Sequence, residues 1–262
     1  MKEQKPIALI TGASAGIGAE FANVFAAEGY RLILVARSAG KLDALAAELT
    51  SKYDTESTVL PADLSDPLAS QALFDQVAKL RLQVDVLVNN AGLLDNAPFT
   101  ETALENHLRL IQVNICACTA LAHLFLAPML QRGAGRILNV ASTSAFQPVP
   151  NLATYAASKA FMLSLSEALW AEVQGTGVSV TALCPGFVNT QMISKDESHS
   201  MHVPFVRNLE ADEVARQGFD ACMEGKPLYI NGLGNQVVVA LSRLQPRPLL
   251  HWLSVKIGKR GF

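Results

Sequence analysis

The sequence predicts an α/β fold with a doubly wound parallel sheet, helices on both faces of the sheet, and a single domain. Short apolar runs rich in Val, Ile and Leu alternate with segments of helical periodicity along the chain. The runs are apolar at every position, which is typical of parallel strands that are buried on both faces. No Pro-, Gly- or Ser-rich linker interrupts the 262 residues, half of which are apolar, so one large core is expected.

The first half of the chain is expected to form four strands, most of them followed by a helix. The strands are predicted at 7–11, 31–36, 57–63 and 84–92. A helical face that includes Ile17 and Phe21 follows the first strand. The next two helices are expected to begin at caps, one at Ser38 and the other near Ser65 or Asp66.

The second half continues the alternation. Helical patterns cover 101–132, 152–174 and about 211–224, and strands are predicted at 135–142, 177–186 and 227–230. The segment 187–210 lacks a clean period and is polar in its middle. Right-handed crossovers place the ligand crevice of such a sheet at the carboxyl ends of the strands. This segment is therefore expected to form a lid over the crevice.

The segment TGASAGIG at 11–18 places three glycines between the first strand and the first helix. Gly12 permits a tight exit from the strand, and Gly16 and Gly18 let the backbone and the helix approach a pyrophosphate at the helix N-terminus. Three glycines can also make a compact turn and nothing more. Their position after the first strand of a strand–helix–strand pattern favours dinucleotide binding.

Six motifs occur in one order over about 180 residues. They are TGASAGIG (11–18), NNAG (89–92), Asn114 within QVNI, Ser142 within NVAST, YAASK (155–159) and PGFVNT (185–190). Together they resemble the motif set of the short-chain dehydrogenase/reductase family. The resemblance implies a Rossmann-type fold, a nicotinamide cofactor, and hydride transfer to or from a carbonyl or alcohol.

The resemblance also implies which residues are functional. Ser142, Tyr155 and Lys159 would be catalytic, with Asn114 as their helper. The implied cofactor contacts are Gly12, Ser14, Gly16, Ile17, Gly18, Arg37, Ser38, Asp63, Leu64, Asn90, Ala91, Gly92, Tyr155, Lys159, Pro185, Gly186, Val188 and Thr190. Asp63 would meet the adenine amino group, although its carboxylate could instead cap the following turn.

Tyr155 and Lys159 are four residues apart and therefore share a helical face. A surface pair with a snorkelling lysine is the plain alternative. The presence of Ser142 favours a catalytic role for the pair. The Lys159 ammonium should lower the pKa of the Tyr155 phenol from about 10, which would make the phenol a general acid/base. Ser142 would donate to the substrate oxygen. Asn114 would anchor a water between Lys159 and solvent, as the family implies.

The end of the second strand indicates the kind of nicotinamide cofactor. Sites for NAD usually place a carboxylate there for the ribose 2′-hydroxyl, whereas this chain has Ala36 followed by Arg37. Arg37, with Ser38 and Lys41 nearby, suits the 2′-phosphate of NADP(H). The glycine-rich turn has Ala15 where many NADP-preferring relatives carry a basic residue, so NAD(H) stays open as an alternative.

Composition narrows the partners and the location. The net charge of −2 gives no reason to expect nucleic acid as a partner. The four cysteines are scattered and are expected to be small core residues or reduced thiols, with no metal site. The N-terminus lacks the pattern of a signal peptide, and no run of about 18 apolar residues suggests a membrane span, so a cytoplasmic location is expected.

The chain is expected to consist of a sheet domain over 1–235, including the lid, and an amphipathic basic extension over 236–262 that is not an independent domain. After Glu224 the sequence has six basic residues and no acidic one. The extension resembles those of long-chain 3-ketoacyl and hydroxysteroid reductases of the family. Three roles stay open for it: a subunit interface in a homodimer or homotetramer, contact with an anionic membrane surface, and docking of an acidic partner such as acyl carrier protein.

These observations predict an NADP(H)-dependent oxidoreductase that acts on a small hydrophobic carbonyl or alcohol. Apolar residues expected near the crevice, among them Phe146 and Phe187, favour such a substrate. A reductase of 3-oxoacyl thioesters, carried by acyl carrier protein or CoA, is the alternative enzyme. A cofactor-sensing binding protein without catalysis is a third interpretation, and the intact set of Ser142, Tyr155 and Lys159 argues against it.

Overall fold

The computed structural model describes residues 5–189 and 207–244, together with 246, 248 and 255. These residues form seven strands: β1 Ile7–Thr11, β2 Arg31–Val35, β3 Ser57–Val59, β4 Val86–Asn89, β5 Gly135–Val140, β6 Val178–Cys184 and β7 Leu228–Ile230. They form one sheet in the order β3-β2-β1-β4-β5-β6-β7, and every neighbouring pair is parallel. The predicted doubly wound parallel sheet is therefore confirmed.

Helices connect the strands. The α-helices in the described part of the chain are α1 Gly16–Ala27, α2 Ala39–Tyr53, α3 Ala69–Lys79, α4 Leu104–Ile111, α5 Cys118–Arg132, α6 Ala153–Glu172, α7 Ala211–Met223 and α8 Leu233–Leu244. A π-helical segment, Gln112–Ala117, joins α4 to α5, and a short 3₁₀ segment, Thr143–Phe146, follows β5. Most of the predicted helices are present with bounds within three residues.

Separate apolar clusters cover the two faces of the sheet. In β1, Ala8 and Ile10 belong to the cluster formed with α1, α2 and α7, whereas Ile7 and Leu9 belong to the cluster formed with α3 and α5. Successive residues of a strand point to opposite faces, which is why β1 is apolar at every position. Since β1 lies between β2 and β4, the strand order reverses there, and such a switch point opens a ligand crevice at the carboxyl ends of the strands.

The region after β3 differs from the prediction. β3 is shorter than expected, and α3 begins at Ala69 rather than just after Ser65 or Asp66. Asp63 Oδ1 accepts a hydrogen bond of 3.0 Å from the Ser65 N–H, and Asp66 Oδ1 accepts one of 2.9 Å from the Leu68 N–H. These carboxylates therefore close turns ahead of the helix instead of capping it.

The run from α4 through the π-helical segment to α5 is continuous over Leu104–Arg132. Among the described residues, this is the one helix that is long and apolar enough to cross a membrane. No segment of this kind is expected from the sequence. Three residues of this helix, Leu121, Phe125 and Met129, are buried in the apolar cluster that α3 and α5 form on one face of the sheet. A core helix can be as long and as apolar, and this burial accounts for the apolar composition.

Helix α8 crosses the predicted boundary at 235/236. Asn235 is buried and donates a 2.8 Å hydrogen bond to the carbonyl of Asn231. Val237, Leu241 and Leu244 are exposed along the helix. Beyond Leu244 most residues of the extension lie outside the described part of the chain, so the three roles considered for it stay predictions.

Candidate active site

The glycine-rich turn has no room for side chains where the prediction places its glycines. Gly12 and Gly16 have φ values of +68° and +57°, which suit glycine. A Cβ at Gly12 would lie 2.8 Å from Asn90 Nδ2, and one at Gly18 would overlap the carbonyl of Gly12. Ala15, before α1, supplies no capping side chain, and the first turn of α1 has no acidic residue. The N–H groups at this helix end are thus suited to an anionic group.

A hydroxyl that the sequence reasoning missed joins this turn to the turn after β4. Thr11 Oγ1 accepts hydrogen bonds of 3.0 Å from the N–H groups of Asn90 and Ala91 and donates one of 3.2 Å to the carbonyl of Val88. Asn90 Nδ2 donates in return to the carbonyl of Thr11 at 3.0 Å. The two turns are therefore held in a fixed relation at the switch point.

These turns form one wall of a cleft of about 590 Å³. The predicted contacts that line it are Gly12, Ser14, Gly16, Ile17, Arg37, Ser38, Asp63, Leu64, Asn90, Ala91 and Gly92. Gly18 is buried behind this wall, where it lets α1 approach the turn. The cleft thus brings together the residues expected to hold the adenosine and pyrophosphate portion of a dinucleotide.

One end of the cleft is rich in cations. Arg37 and Lys41 line it from the β2 side, and Ser38 lies between them without making the capping hydrogen bond expected of it. Arg109 of α4 also lines the cleft. Asp63 is there too, and the hydrogen bond from the Ser65 N–H lowers the pKa of its carboxyl, with a smaller contribution from Arg37 and Arg109. Asp63 therefore both closes its turn and faces the cleft.

The proposed catalytic hydroxyls meet at the carboxyl end of β5. Ser142 leads into the 3₁₀ segment and its Oγ accepts a hydrogen bond of 3.2 Å from the Ser144 N–H. Its side chain also lies near the phenol of Tyr155, at the start of α6, where it lowers the pKa of that phenol. Burial raises the pKa of Tyr155 by more than Ser142 lowers it. The expected lowering of the Tyr155 pKa by Lys159 is therefore wrong for this structure.

Lys159 is buried below Tyr155, with its Nζ 5.7 Å from the centre of the phenol ring. Its Nζ donates a 2.7 Å hydrogen bond to the carbonyl of Val140. Burial lowers the pKa of Lys159 to about 8, and the nearby Cys118 and Cys184 oppose that shift. At 5.7 Å from the ring, the ammonium does not offset the effect of burial on the pKa of Tyr155. Lys159 is therefore not a snorkelling surface residue.

Asn114 is fully buried within the π-helical segment. Its Oδ1 accepts from the Leu93 N–H at 2.8 Å, and its Nδ2 donates to the Leu93 carbonyl and to Ser158 Oγ, both at 3.0 Å. Both amide N–H groups are thus used within the protein. The side chain therefore fixes the loop after β4 against α6. The water that Asn114 is expected to anchor would have to donate a hydrogen bond to Oδ1.

Gly92 connects the two halves of the site. It lines the cleft, and a Cβ at this position would lie 3.5 Å from Asn114 Oδ1 and 3.6 Å from Lys159 Nζ. The residues predicted to be catalytic, which include Asn114 and Lys159, therefore lie next to the cleft. A dinucleotide lying along the cleft can pass Gly92 and bring its far end to Tyr155 and Lys159.

The remaining predicted contacts follow β6. Pro185 and Val188 are buried, and a Cβ at Gly186 would collide with the side chain of Asn235. Val188 forms an isolated parallel bridge to Leu209. Thr190 and most of the predicted lid lie outside the described residues.

The cleft residues that the sequence did not indicate as contacts include Leu93, Arg109 and Val113. Arg109 and Val113 are one helical turn apart, and Val113 directly precedes Asn114. Helical spacing back from Val113 would have pointed to Arg109. Leu93 carries no comparable signal, because its backbone makes the contact with Asn114.

Comparison with known proteins gives consistent results. Residues 6–200 match the family model described as short chain dehydrogenase. A very-long-chain 3-oxoacyl-CoA reductase of Pyrenophora tritici-repentis is 42% identical over 259 residues, covering 97% of this chain and 72% of that protein. A protein of the same name from Phaeosphaeria nodorum is 40% identical, covering 80% of this chain and 63% of that protein.

Among solved structures, a short-chain dehydrogenase from Sphingobium yanoikuyae in complex with NADPH superposes with a TM-score of 0.80 at 32% identity, covering 94% of this chain and 95% of that one. The fold, the glycine-rich turn and the matching sequence model agree. The chain belongs to the short-chain dehydrogenase/reductase family of oxidoreductases.

Proposed function

We propose that this protein reduces the 3-keto group of a 3-oxoacyl thioester to a 3-hydroxyacyl thioester with NADPH as the reductant. The observation that carries the chemistry is the position of buried Lys159, whose Nζ lies 5.7 Å from the ring of Tyr155 and beside Gly92 of the cleft. Ser142 lies near the same phenol and lowers its pKa. The support for the substrate class is the name shared by the two similar proteins from Pyrenophora and Phaeosphaeria.

The protonation state of Tyr155 favours the reducing direction. Its pKa is raised by burial, so the phenol keeps its proton at neutral pH and can donate it to a carbonyl oxygen. Ser142 can donate a second hydrogen bond to the same oxygen and hold it against the phenol. Two hydroxyl donors thus stabilise the negative charge that develops on the oxygen as the carbonyl carbon is reduced.

Lys159 has two roles in this proposal. With a pKa of about 8 it can exchange a proton near neutral pH, which suits a group that helps Tyr155 to regain its proton. Its Nζ also lies beside Gly92 of the cleft, where it can bond ribose hydroxyls of a cofactor. Asn114 acts by holding the loop that contains Gly92 and Leu93.

The cleft fits a dinucleotide phosphate. The glycine turn and the uncapped start of α1 suit the pyrophosphate, and Arg37, Ser38 and Lys41 suit a 2′-phosphate. NADPH, when bound, would supply the hydride that is added to the substrate carbon. The solved structure with NADPH supports this assignment, and NAD(H) is the alternative that binding experiments would reveal.

The test is NADPH oxidation by the purified protein with 3-oxoacyl-CoA esters of increasing chain length, with 3-oxoacyl thioesters of acyl carrier protein, and with small hydrophobic ketones. Turnover of the thioesters with Tyr155→Phe inactive is the expected result. Turnover of the ketones alone would replace the thioester by the simpler carbonyl substrate. Full activity in Tyr155→Phe would remove the proposed mechanism.

We also propose that the protein is a cytoplasmic homo-oligomer. Leu104 and Leu108 of α4 and Phe161 of α6 are exposed, and burial of such residues between subunits is favourable. Mass measurement in solution tests this, and a monomer at micromolar concentration would contradict it. The same measurement after deletion of 236–262 tests whether the extension contributes to the interface.

A further inference from the structure

The cation-rich end of the cleft has contributions from both sides of β1. Arg37 and Lys41 follow β2, whereas Arg109 belongs to α4, which follows β4. Because β2 and β4 flank β1 in the sheet, these cations approach the end of the cleft from two sides. Arg109 has no role in the catalytic set, and its position in the cleft needs a separate explanation.

None of the three cations forms an ion pair with another described residue. The salt bridges among the described residues involve other arginines and another lysine. Of the described residues that line this cleft, Asp63 is the acidic one. Its Oδ1 already accepts hydrogen bonds from the N–H and hydroxyl of Ser65 at 3.0 and 2.8 Å. Three cations against one carboxylate leave an excess of about two positive charges on the cleft wall.

We propose that Arg109 is a specificity-determining residue that binds, together with Arg37, a phosphate monoester on the adenosine ribose of the cofactor. Such a group carries about −1.5 to −2 charges at neutral pH, which matches the excess on the wall. Two guanidinium groups placed on opposite sides can each donate a forked pair of hydrogen bonds to it. The inference rests on the proposed use of NADP(H).

An alternative role for Arg109, stacking on the adenine ring, predicts a different effect on cofactor binding. A guanidinium plane can stack on adenine, a base that NADPH and NADH share. In that case Arg109 would strengthen the binding of both cofactors equally. A phosphate contact affects NADPH alone.

The experiment measures dissociation constants for NADPH and NADH in the full-length wild type, Arg109→Ala, Arg109→Lys and Arg37→Ala. Lys79→Ala is the matched control, since it removes one exposed cation at the end of α3, away from the cleft. We expect Arg109→Ala to weaken NADPH binding about tenfold and to change NADH binding less than about twofold. Arg109→Lys should retain part of the NADPH affinity, and Lys79→Ala should retain all of it.

The outcomes separate this inference from the proposed function. A wild type that binds NADPH and NADH equally would overturn the NADP(H) assignment. A wild type that prefers NADPH, with the same preference kept in Arg109→Ala, would overturn the role of Arg109 alone. Equal loss of both cofactors in Arg109→Ala would assign the residue to adenine instead. Thermal unfolding of each variant verifies that the fold is intact.

Discussion

Lys159 Nζ donates a 2.7 Å hydrogen bond to the carbonyl of Val140, the last residue of β5. Ser142 follows two residues later, and Tyr155 lies one helical turn before Lys159 on α6. The bond therefore ties the helix that carries two of the proposed catalytic groups to the strand end that carries the third. It also keeps the lysine buried, which is the source of its lowered pKa.

The burial of Lys159 should appear in the stability of the protein. Its pKa is lowered from 10.5 to about 8, so between these pH values the unfolded chain binds more protons than the folded one. The free energy of unfolding should therefore rise with pH in this window. We expect Lys159→Met to flatten the rise, as measured by urea denaturation from about pH 8 to about pH 10.5. Parallel curves for wild type and variant would contradict the lowered pKa.

Removal of the Ser142 hydroxyl should affect both rate and titration. Ser142 lowers the pKa of Tyr155, so in Ser142→Ala that pKa should rise further and the alkaline fall in carbonyl reduction should move to higher pH. The loss of one donor to the substrate oxygen should slow reduction about 10²- to 10³-fold. Measurement of kcat against pH checks both effects.

Ser144→Ala is the matched control for this substitution, because Ser144 contacts Ser142 only through its backbone N–H. We expect it to keep the wild-type rate within about threefold. If the alkaline fall in kcat moved to lower pH in Ser142→Ala, the result would show that the hydroxyl does not stabilise the phenolate.

Substitution by alanine should have opposite effects at Gly18 of the glycine-rich turn and at Gly40 of α2. A Cβ at Gly18 would overlap the carbonyl of Gly12, whereas a Cβ at Gly40 would meet nothing within 4 Å. We expect Gly18→Ala to cost about 1–3 kcal/mol in the free energy of unfolding and to abolish tight NADPH binding. Gly40→Ala, at the exposed start of α2, should be neutral or stabilising by up to about 1 kcal/mol. Denaturation and NADPH titration measure both, and equal behaviour of the two variants would refute the close approach at Gly18.

Much of this fold could be predicted because its determinants are local. The apolar strands, the glycine turn and the spacing of Tyr155 and Lys159 are visible along the chain, and short connections leave few topologies. Arg109 could not be assigned in the same way, since its contact with the cleft depends on how α4 is placed relative to β4. The hydrogen bonds of Asn114 to Leu93 and Ser158 are likewise tertiary contacts that residue spacing does not indicate.

The direction of the Tyr155 pKa shift shows the same limit. Residue spacing indicates that an ammonium is near, and it gives neither the 5.7 Å separation from the ring nor the degree of burial. Desolvation and Coulomb attraction act in opposite directions on a buried phenol beside a cation. Which of the two is larger depends on packing distances that a single sequence does not contain.

A buried amide network should hold α6 in position. Asn139 of β5 is fully buried; its Oδ1 accepts from Asn89 Nδ2 and its Nδ2 donates to Ser166 Oγ, both at 2.9 Å. Ser166 lies two turns after Lys159 on α6 and donates to the Met162 carbonyl at 2.6 Å. Asn139→Ala leaves the buried Asn89 Nδ2 without its acceptor and Ser166 Oγ without its donor, and it also removes the weak 3.8 Å acceptor of Cys118 Sγ. A buried polar group that loses its partner costs about 1–3 kcal/mol. Ser166→Ala leaves one such group, the amide of Asn139.

We therefore expect Asn139→Ala to destabilise the protein more than Ser166→Ala does, as measured by urea denaturation. Because Asn139 touches neither the cleft nor the catalytic hydroxyls, its loss should lower kcat through misplacement of α6 and leave the dissociation constant for NADPH within about threefold. Equal destabilisation by the two variants would mean that the Asn89 bond contributes nothing. A change in NADPH affinity without a change in kcat would mean that the network supports the cleft rather than the helix that carries Tyr155.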